Sequence, residues 1–256
     1  MNRQIFAATL LTASLLPAYS YAAVDLGIAL EYYTWTEDTQ NDPPPHEYGP
    51  RTALHLNWTQ DGDHGLLFGY RGKVYAAQVS YDTYYLSNNL PVATDTTYAG
   101  TAHEGQFLYR SEAGKYQLDY IGGMGWDYWR RTIASNQIED YSILYLRGGV
   151  NLDQPEHRAG FHGGGGLKLP FWTLENAHLT DQGFTTNPIL RPGRNISLYA
   201  EFGYRINPKI DITGYYDSWH FKQSGLITTS DGTKLWNVWQ PRSTMEAFGL
   251  KAMYSF

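Results

Sequence analysis

The chain has no cysteine among its 256 residues, so neither a disulfide framework nor thiolate chemistry is available to it. It also has no uninterrupted apolar run approaching the roughly 20 residues that a membrane-spanning helix needs. Its mean hydropathy is negative as well, and a helical membrane protein is excluded. Basic runs and recognition-helix patterns are missing, and the formal charge of -6 argues against a nucleic-acid partner. Three residue types are plentiful: Tyr at 22, Trp at 8 and Gly at 26. This composition favours a single repetitive β-structure over two small domains.

The two ends of the sequence differ in kind. Arg3 supplies a positive start, Ile5 to Leu16 form an apolar stretch, and Pro17 precedes Ser20-Tyr21-Ala22, a small-x-small cleavage pattern. Residues 1–22 therefore read as a cleaved signal peptide and residues 23–256 as one mature domain. At the other end Phe248, Leu250, Ala252, Tyr254 and Phe256 share one face of a strand, while Gly249, Lys251, Met253 and Ser255 share the other. One side suits hydrocarbon and the other is small or polar. A strand of this kind cannot keep an open edge in lipid, so its backbone is satisfied by a closed barrel in which the last strand pairs with the first.

The same alternation recurs along the chain. From Asp25, Leu26, Ile28, Leu30 and Tyr32 oppose Gly27, Ala29, Glu31 and Tyr33. The polar, proline-rich stretch from Glu37 to Gly49 reads as an external loop. Short turns are expected at Asp61–His64, Glu112–Lys115, Asp153–His157 and Asn207–Lys209. Long loops are expected after the first strand, around Ser87–Thr97, between Trp126-Asp127-Tyr128-Trp129 and Tyr141, over Glu175–Gly193, and beyond Lys222. The expected fold is thus an all-β antiparallel up-and-down transmembrane barrel of ten strands, the even number a single-chain barrel calls for. Merging strands would give eight, and dividing the third near Arg71-Gly72 would give twelve.

Parity then assigns the interior. Glu31, His55, Arg71, Glu104, Gln106, Arg110, Asp119, Asp127, Arg131, Arg147, Asn151, Arg158, His162, Lys168, Glu201, Arg205 and Asp211 lie opposite the apolar positions. A soluble sandwich would bury these charges at a cost of several kcal/mol per ion. In a narrow barrel the two signs can pair across the lumen, and ten strands are few beside the 16–18 that leave an aqueous channel. Glycines at 122, 123, 125, 148, 149 and 163–166 either accept aromatic rings from neighbouring strands or form a smooth wall beside a small-solute path. Aromatic residues near the strand ends, including Tyr32, Tyr33, Trp35, Trp126, Tyr128, Trp129 and Trp219, are expected to form girdles at the two membrane interfaces.

The terminal pattern carried by Phe248, Leu250, Tyr254 and Phe256 resembles the C-terminal assembly signal of small Gram-negative outer-membrane β-barrel proteins. That resemblance implies an outer-membrane location, with lipid and lipopolysaccharide, the barrel-assembly machinery and periplasmic chaperones as partners. It identifies no activity. Catalytic chemistry is weakly signalled: Asp217 and His220 fall on opposite strand faces, as do His103 and Glu104, and His55 and His162 have no metal-ligand spacing. No catalytic residue, metal or cofactor is expected. The leading expectation is a non-enzymatic barrel, either structural and surface-interacting or a narrow channel for small solutes. The alternatives are an omptin-like protease, a lipid A-modifying hydrolase, and an adhesin acting through the long loops.

Overall fold

The computed structural model describes residues 22–39, 44–84, 91–135, 137–155 and 158–256. Period-two alternation carries the chain through long antiparallel strands: β1 (Ala22–Asp38), β2 (His46–Gln60), β3 (Gly65–Tyr84), β4 (Pro91–Ala113), β5 (Tyr116–Ala134), β6 (Gln137–Asp153) and β7 (Gly160–Ala177). There follow β8 (Ile189–Leu190), β9 (Gly193–Arg194), β10 (Ser197–Asn207), β11 (Ile210–Lys222), β12 (Ile227–Ser230), β13 (Leu235–Val238) and β14 (Arg242–Ser255). β1 to β7 pair in sequence order, β7 pairs with β10, β10 with β11, and β11 with β14. β14 then returns to β1, with Asp25 opposite Ser255 and Asp38 opposite Arg242. Ten strands close the barrel and leave none of them with a free edge. β12 and β13 form a separate hairpin in the last loop.

The outward positions explain why closure is needed. Ile28, Leu30, Leu54, Phe107, Met124, Phe202 and Leu250 are all more than half exposed. Such a continuous apolar band suits hydrocarbon and would be a liability in water. Phe248, Leu250, Tyr254 and Phe256 belong to this band. Toward the long-loop end the outer face turns polar: Tyr48 donates to Asp82, Gln78 to Asp95, and Arg130 pairs with Asp140. The strands therefore project beyond the apolar band on that side.

Several boundaries differ from the sequence expectation. The proline-rich loop is shorter, because Glu37 and Asp38 remain in β1 and His46 to Gly49 join β2, opposite Thr36 to Tyr33. The second loop, expected around Ser87–Thr97, is shorter too, because Pro91 to Thr97 already belong to β4 and pair with Tyr84 to Gln78 of β3; residues 40–43, 85–90 and 156–157 lie outside the described residues. The third long loop is replaced by a near-hairpin, since β5 runs to Ala134 and pairs there with Gln137. Cross-strand hydrogen bonds outlast the apolar pattern at this end, and polar residues therefore continue the ladder. The predicted leader falls on residues outside the described set, apart from Ala22, which faces Gln60 in the β1–β2 ladder.

The aromatic residues divide differently as well. Tyr32 and Trp126 stand on the outer face, but Tyr33, Trp35, Trp129 and Trp219 are wholly buried inside the barrel. Nearness to a strand end set the expectation, whereas side-chain parity decides the outcome. Four inward glycines accommodate rings. A side-chain carbon at Gly125 would overlap the Tyr145 ring, one at Gly149 the Tyr199 hydroxyl, and Gly100 and Gly249 similarly receive Tyr75 and Tyr215.

Candidate functional site in the lumen

The interior is arranged in three layers. At the long-loop end Trp35, Trp129, Trp219, Tyr33, Tyr141 and Phe221 form a continuous apolar cluster with Ile143, Val79 and Met245. Trp129 stacks on Tyr141 with centroids 4.9 Å apart, and Trp35 meets Tyr141 edge-on at 5.4 Å. Beside this cluster the buried Arg131 guanidinium bonds Glu47 at 2.7 Å, Glu139 at 2.8 Å and Glu37 at 2.9 Å. Tyr98 and Thr96 also donate to Glu47. Each of the three carboxylates faces the same guanidinium, which holds β1, β2, β5 and β6 together across the lumen.

The middle layer is an ion network. Glu31 accepts from Arg51, Lys73 and Tyr215. The Arg51 guanidinium lies between the rings of Tyr33 and Tyr75, 4.6 and 4.5 Å from their centroids. Asp127 accepts from Tyr75 at 3.0 Å and from the Trp219 indole at 2.9 Å. Lys168 bonds Asp217 at 2.6 Å and sits 3.7 Å from the Trp219 ring centroid. Arg147 bonds Glu104 at 2.9 Å and stacks on Tyr199, while Glu201 receives Lys251 at 3.0 Å and Arg71 at 3.3 Å. These groups enclose a cavity of about 100 Å³ lined by His55, Arg71, Lys73, Glu104, Asp127, Arg147, Lys168, Glu201, Asp217 and Lys251, among others.

The layer toward the short turns pairs its charges two by two. Arg110 forms a two-point pair with Asp119, at 2.8 and 2.9 Å, and Arg205 does the same with Asp153. His162 faces Asp211. A second space of about 150 Å³ is lined by these groups together with Asn57, Gln106 and Asn151. It shares Arg71, Glu201 and Lys251 with the middle cavity. The two spaces thus meet at one ion cluster, and the aromatic layer lies beyond them.

Of the residues assigned to the lumen by parity, all but one line these layers. Arg158 is exposed in the turn before β7, because pairing of that strand begins only at Gly160. Sequence reasoning missed Arg51, Lys73, Glu47 and Glu139 as network members. Arg51 and Lys73 share the parity of His55 and Arg71, a signal that was available. Glu47 and Glu139 lay in stretches read as loops. The doubtful catalytic pairs are separated as their spacing implies. Asp217 joins Lys168 in the lumen. Glu104 points inward to Arg147, while His103 bonds Tyr70 at 2.6 Å and Thr101 at 2.9 Å and stacks on the outward Trp126. Among the described residues no group of three acidic, His or Cys side chains could hold a metal ion.

Above the barrel, the last two loops meet. Thr185 N–H donates to the Ser230 carbonyl at 2.8 Å, Thr186 and Thr229 share a hydrogen bond, and Phe184 touches Trp236 edge-on. Asp231 accepts from the Thr233 hydroxyl, the Trp236 indole and the backbone N–H groups of Lys234 and Thr233. Those donors hold its carboxyl well below the usual carboxylate range. The hairpin nevertheless leaves Leu226, Leu235, Trp236 and Trp239 exposed, Leu235 at 75%.

No protein-family model matches the chain, and no curated protein sequence matches it. Among solved structures it is similar to the outer membrane protease OmpT from Escherichia coli, at 11% identity over 92% of this chain and 96% of that one, with a TM-score of 0.49. It is also similar to the toluene transporter TodX from Pseudomonas putida, at 8% identity over 91% and 89% of the two chains, with a TM-score of 0.39. Ail, the attachment invasion locus protein of Yersinia pestis, aligns at 10% identity over 92% and 99%, with a TM-score of 0.34. The chain resembles outer-membrane β-barrel proteins without matching a characterised family.

Proposed function

We propose that this chain is an integral outer-membrane β-barrel that does not conduct at rest and acts through the surface of its long loops. One observation carries the first part: Trp35, Trp129 and Trp219 are each 0% exposed and fill the lumen beyond the ion network. A ten-stranded barrel has little width to spare, and side chains alone can fill it. The second part is supported by the exposed Leu226, Leu235, Trp236 and Trp239, which lie on a loop hairpin and not on the hydrocarbon-facing band. Apolar groups left at an aqueous surface mark interaction sites.

In this reading the leader directs export, and the pattern ending at Phe256 serves the assembly machinery and its periplasmic chaperones. Lipid and lipopolysaccharide surround the band, and the short turns face the periplasm. The test is conductance of the refolded full chain in planar bilayers. We expect no unitary steps from the wild-type protein and small steps when Trp35, Trp129 and Trp219 are together changed to Ala. Steady conductance by the wild type would overturn the sealed-lumen reading in favour of a small-solute channel. For the loop surface, changing Leu235 and Trp236 to Ser should leave refolding intact and lower the adherence of cells displaying the protein; unchanged adherence would overturn it.

A further inference from the structure

We propose that the cavity in the middle layer binds a small anion, of the halide or compact carboxylate class, reached from the short-turn end. The lining contains five basic side chains against four carboxylates, and with Glu31 behind it, which takes up both Lys73 and Arg51, the layer holds six basic side chains against five carboxylates, a surplus of one positive charge. Leaving a buried charge uncompensated costs several kcal/mol, so such a space recruits a counter-charge. The acidic surplus of the other layers is set apart from this cavity. At the long-loop end it lies beyond the aromatic cluster, and at the short-turn end it lines the second space, away from Arg147.

Arg147 identifies the contact point. Its side chain is 7% exposed, and its Nη1 alone reaches Glu104. Nε and Nη2 have no acceptor among the described residues, and one face of the guanidinium is covered by the Tyr199 ring, 3.6 Å from its centroid. A buried N–H of a charged group without an acceptor is unfavourable, and an anion supplies the missing one. The volume of about 100 Å³ matches such a ligand. That space holds more than a single water and so leaves room for a small anion with its remaining hydration. The entry path is also defined, because Arg71, Glu201 and Lys251 border both this cavity and the space beneath it. Those side chains would receive an anion first and pass it toward Arg147.

The experiment uses the refolded full chain in detergent, with bromide replacing gluconate at constant ionic strength. A bromide-soaked crystal should show an anomalous peak within hydrogen-bonding range of Arg147. The unfolding midpoint should rise saturably with bromide, since a ligand that binds only the folded state stabilises it by mass action. Arg147→Gln should abolish both effects. Glu104→Gln, which removes a competing negative charge, should shift saturation to a lower bromide concentration. No peak beside Arg147, an equal midpoint rise in Arg147→Gln, or weaker saturation in Glu104→Gln would each overturn the proposal. Should Arg147→Gln fail to refold, the direction of the Glu104→Gln shift decides it. None of these readouts depends on whether the barrel conducts.

Discussion

Replacing Arg131 with Met is the most informative perturbation of the lumen. The guanidinium is 2% exposed and bonds Glu37, Glu47 and Glu139 together, and of these Glu47 is fully buried while Glu37 and Glu139 are 12% and 14% exposed. Met fills much of the same volume, so the loss is electrostatic: three carboxylates face one another with no cation between them. Removing one partner of a buried ion cluster costs about 3–5 kcal/mol. At a urea dependence of roughly 1–3 kcal/mol per molar, the unfolding midpoint should fall by about 1 M or more. The assay is urea unfolding of the refolded protein in detergent micelles, followed by Trp fluorescence. The sign of the pH dependence separates this cause from a packing defect. In the variant the crowded carboxylates take up protons more readily when folded than when unfolded, so stability is lost as pH rises, and the deficit should shrink as the pH is lowered. Adding Glu47→Gln should recover part of it at neutral pH. A deficit below about 1 kcal/mol, or one independent of pH, would refute the cluster as the source of cohesion at this end of the lumen.

Two further outcomes test the wall of the barrel. Gly125→Val should cost about 1–3 kcal/mol of stability in the same urea assay, because the new side chain overlaps the Tyr145 ring. Gly105→Ala, with nothing within 4 Å of the new carbon, is the matched control and should be nearly neutral. Leu250→Arg places a charge on the apolar band, where Leu250 is 60% exposed. It should lower stability in lipid bilayers by about 2–4 kcal/mol. A neutral result there would show that hydrocarbon does not cover this face.

The primary sequence determined the parts of this protein that depend on nearest neighbours along the chain. A side-chain period of two is local, so the outward Leu26, Ile28 and Leu30, the inward Glu31 and the apolar face ending at Phe256 were legible without coordinates. The number of strands followed from the turns between them. The boundaries at the long-loop end did not, because cross-strand hydrogen bonds continue through polar residues such as His46, Glu47 and Gln137, where the apolar pattern has already stopped. Tertiary structure alone decided how the inward residues group. Glu47 meets Arg131 although 84 positions separate them, and Glu31 meets Tyr215 across 184, contacts set by strand stagger and by the closing register of β14 on β1. The same long-range register brought Trp35, Trp129 and Trp219 to one level of the lumen. Alternation says which way a side chain points, but only barrel closure fixes which side chains it meets there.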